Sequence, residues 1–592
     1  MWAALSVVVL WLAALLATDY EDGMTIFDLM GRFSTMLERP FAVRWTPHTL
    51  KFMLTGLVIY AMSIGLYYAN QQNRRPGEEY GSAKWGDPHA LSLKYQDKKN
   101  PDMDIILTMN VKMSLDGYQH KRNLNLLVVG TSGTGKSQSV VLPALLCANC
   151  SFLITDPKGE LLRNAGRFLI EEGYDVKVFN LVEPEKSDHY NPFVYLRCEK
   201  DVLTLIDNLI KNTTPKNASS NDPFWERAEL ALDTALILYL MDFAPPEEQN
   251  FETVLYMIEN AEAREEDEQF QSPLDMLFQA LEEEDPYHVA VKQYHIYKKA
   301  AGKTAKSILI SAAVRLAAFN IPQYAELTKR DDMDFASLGE KKRAIFCVIP
   351  VTDASMNYLI GMLYTQCFQE LYRRADEKYN GRLPVPVRVL QDEWANVAQP
   401  DSYPRILATC RSYNIGLNIF VQNIQNIKAL YEKEWESIIG NCDTLLFLGA
   451  GNEPTSLEFV AKLLGKETLD TRTRGQTRGR NGSSSTNYQQ AGRELMMIDE
   501  IRMMKTDEAI LMIRGERPVL DKKYNILSHP HVKRIQRGGA QPYVHHPTPD
   551  YALPDLPYQV AALDNIEIIE LEESEHEHKE EQQGQQGQQQ GD

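Results

Sequence analysis

Apolar residues recur along this chain in two rhythms, and the places where the rhythm changes divide it. Short runs dominated by apolar residues at 124–129, 151–155, 343–350, 387–390, 417–422, 443–448 and 509–513 have the length of buried strands and the texture of a parallel sheet, and a further strand is expected at 175–180. An early strand is also expected near 105–108. Between residues 201 and 329 the apolar positions fall at helical spacing instead: Val202, Leu205, Ile206 and Leu209, then Leu230, Leu236, Ile237 and Leu240, later Ile308, Ile310, Ala313 and Leu316. The pattern predicts an α/β core with an inserted all-α domain over residues 201–335.

Two longer apolar stretches precede the core. Residues 2–17 are interrupted only by Ser6, and residues 52–69 carry no charge. At ~1.5 Å rise per residue the second approaches the ~30 Å of a bilayer interior, so 1–70 is expected to be a transmembrane anchor of two helices. The connecting stretch 18–51 holds five acids and four bases, whereas Arg74 and Arg75 follow the second run at once. The positive-inside tendency then places the bulk of the chain in the cytoplasm.

The chemistry gathers at the strand ends. Gly130-Thr131-Ser132-Gly133-Thr134-Gly135-Lys136-Ser137 satisfies G-x-x-x-x-G-K-[ST] between a strand-like run and a helix-capable segment. Glycines there let backbone N–H groups converge on phosphate oxygens, Lys136 reaches the β- and γ-phosphates, and the Ser137 hydroxyl ligates Mg²⁺. Asp392 and Glu393 end a later strand; two successive side chains diverge, so one carboxylate can serve the metal and the other the attacking water. Gln422, at the next strand end, suits a γ-phosphate-sensing amide. Asp156 and Lys158 also lie at a carboxyl strand edge, where parallel sheets bind ligands. ATP and Mg²⁺ are the expected cofactors.

Composition narrows the picture slightly. The 592 residues carry a formal charge of −19, which argues against a uniformly basic DNA-coating surface and leaves room for a locally basic channel. Cys147 and Cys150 have no further ligands nearby and read as buried thiols in a reducing compartment. Arg472, Arg474, Arg478, Arg480 and Arg493 lie among Gly, Ser, Gln and Asn, so 471–490 is expected to be a flexible basic excursion. Residues 536–592 read as an extension ending in a disordered acidic, Gln-rich tail.

The combination resembles the VirD4/TraG family of type IV coupling proteins over most of residues 1–535. The resemblance rests on the two apolar runs, Gly81-Ser82-Ala83-Lys84-Trp85, the phosphate loop, Asp156-Pro157-Lys158-Gly159-Glu160, Asn191-Pro192-Phe193, Pro223-Phe224-Trp225 and Asp392-Glu393. It implies a RecA-like P-loop NTPase core split over 71–200 and 336–535 and a membrane-bound homo-hexamer. It also implies an ATPase that receives relaxase-bound single-stranded DNA with relaxosome proteins and passes it to type IV secretion channel proteins in the inner or plasma membrane. By the same resemblance Lys136 and Ser137 match the Walker A positions, Asp392 and Glu393 the Walker B acids, Gln422 the sensor, and Arg411 an arginine offered across the subunit boundary. Two other readings stay open: a receptor that docks secreted proteins and uses nucleotide mainly for assembly, and an FtsK-like DNA translocase.

Overall fold

The computed structural model describes residues 2–69, 78–214, 224–261, 270–300, 302–351, 353, 355–400, 402–476 and 484–547. The expectations for Pro223, for Arg478 and Arg480, and for the acidic tail fall outside them. Thirteen strands occur among the described residues: β1 Asp104–Ile106, β2 Lys112–Ser114, β3 Leu126–Gly130, β4 Ser151–Pro157, β5 Asp175–Asn180, β6 Arg343–Ile349, β7 Val387–Gln391, β8 Ile415–Val421, β9 Thr444–Gly449, β10 Lys466–Gln476, β11 Ser484–Glu494, β12 Glu508–Ile513 and β13 Val519–Lys522. The chain forms two compact units, Met1–Trp85 with Glu458–Ile501, and Gly86–Leu457 with the chain from Arg502 onward.

In the first unit, helices Trp2–Thr18 and Thr49–Ala69 run antiparallel. Gly56 permits their close approach, since a Cβ there would lie 3.2 Å from the Ala13 Cβ. The Tyr60 hydroxyl donates to the Trp2 carbonyl at 2.8 Å. Thr49–Ala69, with 21 residues, is long and apolar enough to cross a membrane by length and composition. Trp2–Thr18 has 17 residues and rises about 26 Å, short of the bilayer interior, so one candidate span stands where two were expected.

Within the expected basic excursion, the described residues 471–476 and 484–490 are strands. β10 and β11 pair antiparallel from Lys466 opposite Glu494 to Gln476 opposite Ser484. The β-branched Thr468, Thr471 and Thr473 favour a pleated strand over the loop that the Gly, Ser and Arg content suggests. The Gly81 segment runs alongside: Ala83 N–H donates to the Lys466 carbonyl at 3.0 Å, and Thr468 Oγ1 accepts from Tyr80 N–H at 3.0 Å. A Cβ on Gly81 would meet the Lys466 oxygen at 2.0 Å, so this approach requires glycine.

The second unit is built on a nine-stranded sheet in the order β13-β12-β9-β3-β8-β7-β4-β6-β5. The seven strands from β9 to β5 are mutually parallel; at one edge β12 pairs antiparallel with β9, and β13 antiparallel with β12. Leu126 to Val129 are buried on both faces, which explains their unbroken apolar run. Between β5 and β6 the described residues are helical or irregular, including Glu199–Thr213, Phe224–Phe243, Phe251–Glu259, Pro273–Glu284, Val289–Lys298 and Gly302–Leu316. The helical spacing was legible, and these helices fall in the same compact unit as the sheet. Asn191 ties them down, donating from Nδ2 to the carbonyls of Gln249 at 2.9 Å and Lys329 at 3.1 Å.

After β13 the chain returns over helix Glu160–Glu171. Tyr543 N–H donates to the Arg163 carbonyl at 3.0 Å, Arg534 pairs with Glu172 at 2.6 Å, and His545 Nε2 lies 2.8 Å from Asp188 Oδ2. The Tyr543 ring fills the space that a side chain at Gly166 would need, because a Cβ there would fall 2.4 Å from its Cδ1. Gly166→Ala should therefore lower stability by about 1–3 kcal/mol through overpacking, although alanine is the better helix former. Urea unfolding of Gly166→Ala and of the Gly166→Ala, Tyr543→Ala pair checks this: the second change should cost less in the alanine background than in the wild-type chain.

Candidate active site

β3 delivers the phosphate loop at its carboxyl end. The loop turns through Gly133 at φ +81° and Gly135 at φ +87°, a path that other residues take only under strain. Thr134 Oγ1 donates to the Thr131 carbonyl at 2.7 Å, and Thr131 N–H donates to the Gly449 carbonyl at 3.1 Å. A Cβ on Gly130 would sit 2.5 Å from that threonine oxygen. Beyond the loop, helix Ser137–Val141 makes one wide turn in which Leu142 N–H donates to the Ser137 carbonyl, five residues back. Pro143 lacks the N–H that would have bonded Ser139, a local cause for the irregularity.

Lys136 is buried, and its Nζ donates to the Gly130 carbonyl at 2.6 Å. Burial lowers its pKa, while Glu393 and Asp392 pull it back up. Across the sheet, β7 ends at Gln391 and hands over Asp392 and Glu393. The Ser137 hydroxyl donates to Asp392 Oδ2 at 2.5 Å. Burial raises the Asp392 pKa, opposed by the Ser137 bond and the Lys136 charge. Glu393 adopts φ +57° and ψ +40°, the left-handed region, at a cost of about 1–2 kcal/mol for a non-glycine residue. Its carboxylate accepts from Gln422 Nε2 at 3.1 Å. Gln422 follows β8, the strand lying between β3 and β7.

Asp156, near the carboxyl end of β4, lines the same cavity as these residues and also serves the helix that follows. It is fully buried, and its two oxygens accept the N–H groups of Leu161 at 3.1 Å and Leu162 at 2.7 Å, capping helix Glu160–Glu171. Burial pushes its carboxyl up to about 7, with the two backbone bonds opposing and the Asp392 charge adding to the rise. Lys158 is exposed at φ +68° on the rim of the same cavity. That cavity, about 550 Å³, is walled by residues of the phosphate loop together with Asp156, Asp392, Glu393 and Gln422.

Arg411 is not brought to this site within its own chain. It precedes β8, so it lies at the amino edge of the parallel sheet, while the phosphate loop and Gln422 leave the carboxyl edge. Its Nη2 donates to the Gly117 carbonyl at 3.2 Å, and its guanidinium lies 5.8 Å from the Tyr118 ring. Two residues that no motif marks do join the site. Lys523 Nζ donates to the Thr134 carbonyl at 3.0 Å, and Arg537 contributes to the cavity wall.

The chain is similar to known proteins in sequence and in fold. The family described as Type IV secretory system Conjugative DNA transfer matches residues 89–539. Protein VirD4 of Rhizobium rhizogenes is 23% identical over 429 residues, which cover 69% of this chain and 59% of that protein's length. The plasmid coupling protein TrwB, solved in complex with the ATP analogue ADPNP, has a TM-score of 0.54 at 16% identity, covering 76% of this chain and 96% of TrwB. Its complex with ADP and Mg²⁺ has a TM-score of 0.53 at 15% identity, covering 76% of this chain and 95% of TrwB. At those identities the TrwB structures speak for the fold. Most of the chain lies within the family match, and it belongs to the conjugative DNA transfer family of type IV secretion, the VirD4/TraG coupling proteins.

Proposed function

We propose that this chain is a membrane-anchored, ATP-hydrolysing coupling protein that recruits relaxase-bound single-stranded DNA and delivers it to a type IV secretion channel, working as a homo-hexamer. One observation carries the enzymatic part of the reading: the Ser137–Asp392 and Gln422–Glu393 bonds join three strand ends around one cavity. The first pair supplies hard oxygen donors of the kind Mg²⁺ takes, and the second leaves Glu393 a carboxylate held in orientation. TrwB was solved with ADPNP and with ADP and Mg²⁺, which favours the same ligands here. Helix Thr49–Ala69, paired with Trp2–Thr18, is the proposed anchor.

In this reading Ser137 and Asp392 hold Mg²⁺, whose chemistry is to neutralise charge on the phosphates. Lys136 gives up its bond to the Gly130 carbonyl to meet the β- and γ-phosphate oxygens. Glu393 accepts the proton of the attacking water, and the Gln422 amide fixes the carboxylate plane. Arg411 acts on the neighbouring subunit's phosphate, because in its own chain it stands at the opposite sheet edge.

Single-stranded DNA should raise the ATP turnover of the full chain in detergent, whereas a docking receptor that uses nucleotide only for assembly would show no stimulation. Glu393→Gln should retain MgATP binding and slow hydrolysis by about 10²–10⁴-fold, since the amide keeps the shape and loses the base. Equal losses of affinity and turnover would make Glu393 structural. Lys136→Ala should greatly weaken nucleotide binding.

Mixing Arg411→Ala with Lys136→Ala subunits tests the trans role. Each variant alone should lose about 10³-fold or more in turnover, while a mixed ring sets an intact loop against an intact arginine and recovers part of it. Substantial activity of Arg411→Ala alone would leave its bond to Gly117 as its whole function.

A further inference from the structure

The chain beyond β13 touches the phosphate loop at Thr134 and the residue just after the loop, Gln138. Lys523 Nζ holds the Thr134 carbonyl at 3.0 Å. Further on, a short turn, Gln536–Gly538, brings Arg537 to the cavity wall. Ile535 before this turn is fully buried, and the turn folds back tightly on its own lead-in, since a Cβ on Gly538 would meet the Val532 carbonyl oxygen at 1.9 Å. Arg537 N–H donates to Asn164 Oδ1 at 3.1 Å, on helix Glu160–Glu171. Its Nη2 donates to Gln138 Oε1 at 3.0 Å.

Gln138 is the residue after Ser137, and Asn164 also lines the cavity. Glu393 and Gln422 mark where the γ-phosphate would be cleaved, and Arg537 is bonded to neither. One of the five guanidinium donors is occupied by Gln138, and among the described residues no other group accepts from the rest. The side chain is exposed, so a ligand can reach it. A cation with free donors, held at the wall of a phosphate-binding cavity by a turn tied to Asn164 and to the buried Ile535, is preorganised for an oxyanion.

We propose that Arg537 is a nucleotide-binding residue, supplied by the C-terminal segment in cis, that grips the sugar-proximal α-phosphate of a nucleoside di- or triphosphate. This inference rests on the nucleotide reading of the cavity. Because ADP and ATP share the α-phosphate, the contact adds affinity for both alike. It therefore acts on KM for ATP more than on kcat, since binding that is equal in ground and transition states does not lower the chemical barrier.

The test uses the full chain in detergent, with MgADP and the magnesium complex of ADPNP as probes. Arg537→Ala should raise the Kd of both by a similar factor, about 10-fold, as expected for loss of a charge-assisted bond. Arg537→Lys should recover part of the affinity. Arg537→Gln, which keeps a donor for Gln138 without the charge, should bind as weakly as the alanine variant while its thermal unfolding without nucleotide stays near wild type.

Three results would overturn the proposal: wild-type affinity in Arg537→Ala, wild-type affinity in Arg537→Gln, or a loss confined to ADPNP, which would place the contact at the γ-phosphate. If the wild-type chain binds neither probe, the nucleotide reading fails and this inference with it. Binding by wild type that Arg537→Ala leaves unchanged removes this inference alone.

Discussion

Three neighbouring parallel strands, β3, β8 and β7, end at one edge of the sheet, and the site depends on their register. Val129 stands opposite Val421, and Ile419 opposite Gln391. The loop after β3, the amide after β8 and the two carboxylates after β7 therefore emerge together, with ladder hydrogen bonds fixing their relative heights. A slip of one residue moves a strand about 3.3 Å and turns its side chains to the other face. Neither the Ser137–Asp392 nor the Gln422–Glu393 bond would survive it. The apolar runs of these strands thus do more than fill a core: burial on both faces of the sheet holds the alignment to which the polar contacts are tuned.

The same burial sets the electrostatics. Desolvation disfavours the charged forms of Lys136, Asp392 and Asp156. Lys136 and Asp392 relieve each other, whereas Asp156 and Asp392 repel. Asp156 is kept in place by two backbone N–H groups, so the cavity gains a buried acid whose bonds are spent on capping a helix. Glu393 carries the opposite kind of cost, in its backbone. Its left-handed turn persists because the surrounding strand end and the buried Trp394 determine it.

The strands and the phosphate loop were legible because their signals are local. β5 spans the residues expected of it, 175–180, and the loop motif needs only eight consecutive residues. The paired acids were legible for the same reason, and so was their relation to Gln422 once a strand was assigned to each. Other features depended on contacts that no local pattern carries. Asp156 at a strand end looks the same whether it faces a phosphate or caps the next helix. β10 and β11 were hidden by their Gly, Ser and Arg content, although the threonines at 468, 471 and 473 favour a strand. Lys523 and Arg537 meet partners 389 and 399 positions away, so nothing near them in the chain marks them.

That separation has a consequence during synthesis. The groove beside helix Glu160–Glu171 is closed by Arg534, Tyr543 and His545, and the His545–Asp188 contact joins residues 357 positions apart. At about 5–20 residues per second the ribosome takes roughly 20–70 s to cover that distance. Until then the space beside Gly166 stands empty, and the phosphate loop lacks its bond to Lys523 until that residue, too, has been made. A nascent chain stalled or cut short of residue 523 would carry every consecutive residue of the phosphate-loop motif, yet hold it in an uncovered half-site where apolar surface meets water and invites aggregation. The cavity wall to which Arg537 contributes can assemble only after the C-terminal segment has left the ribosome.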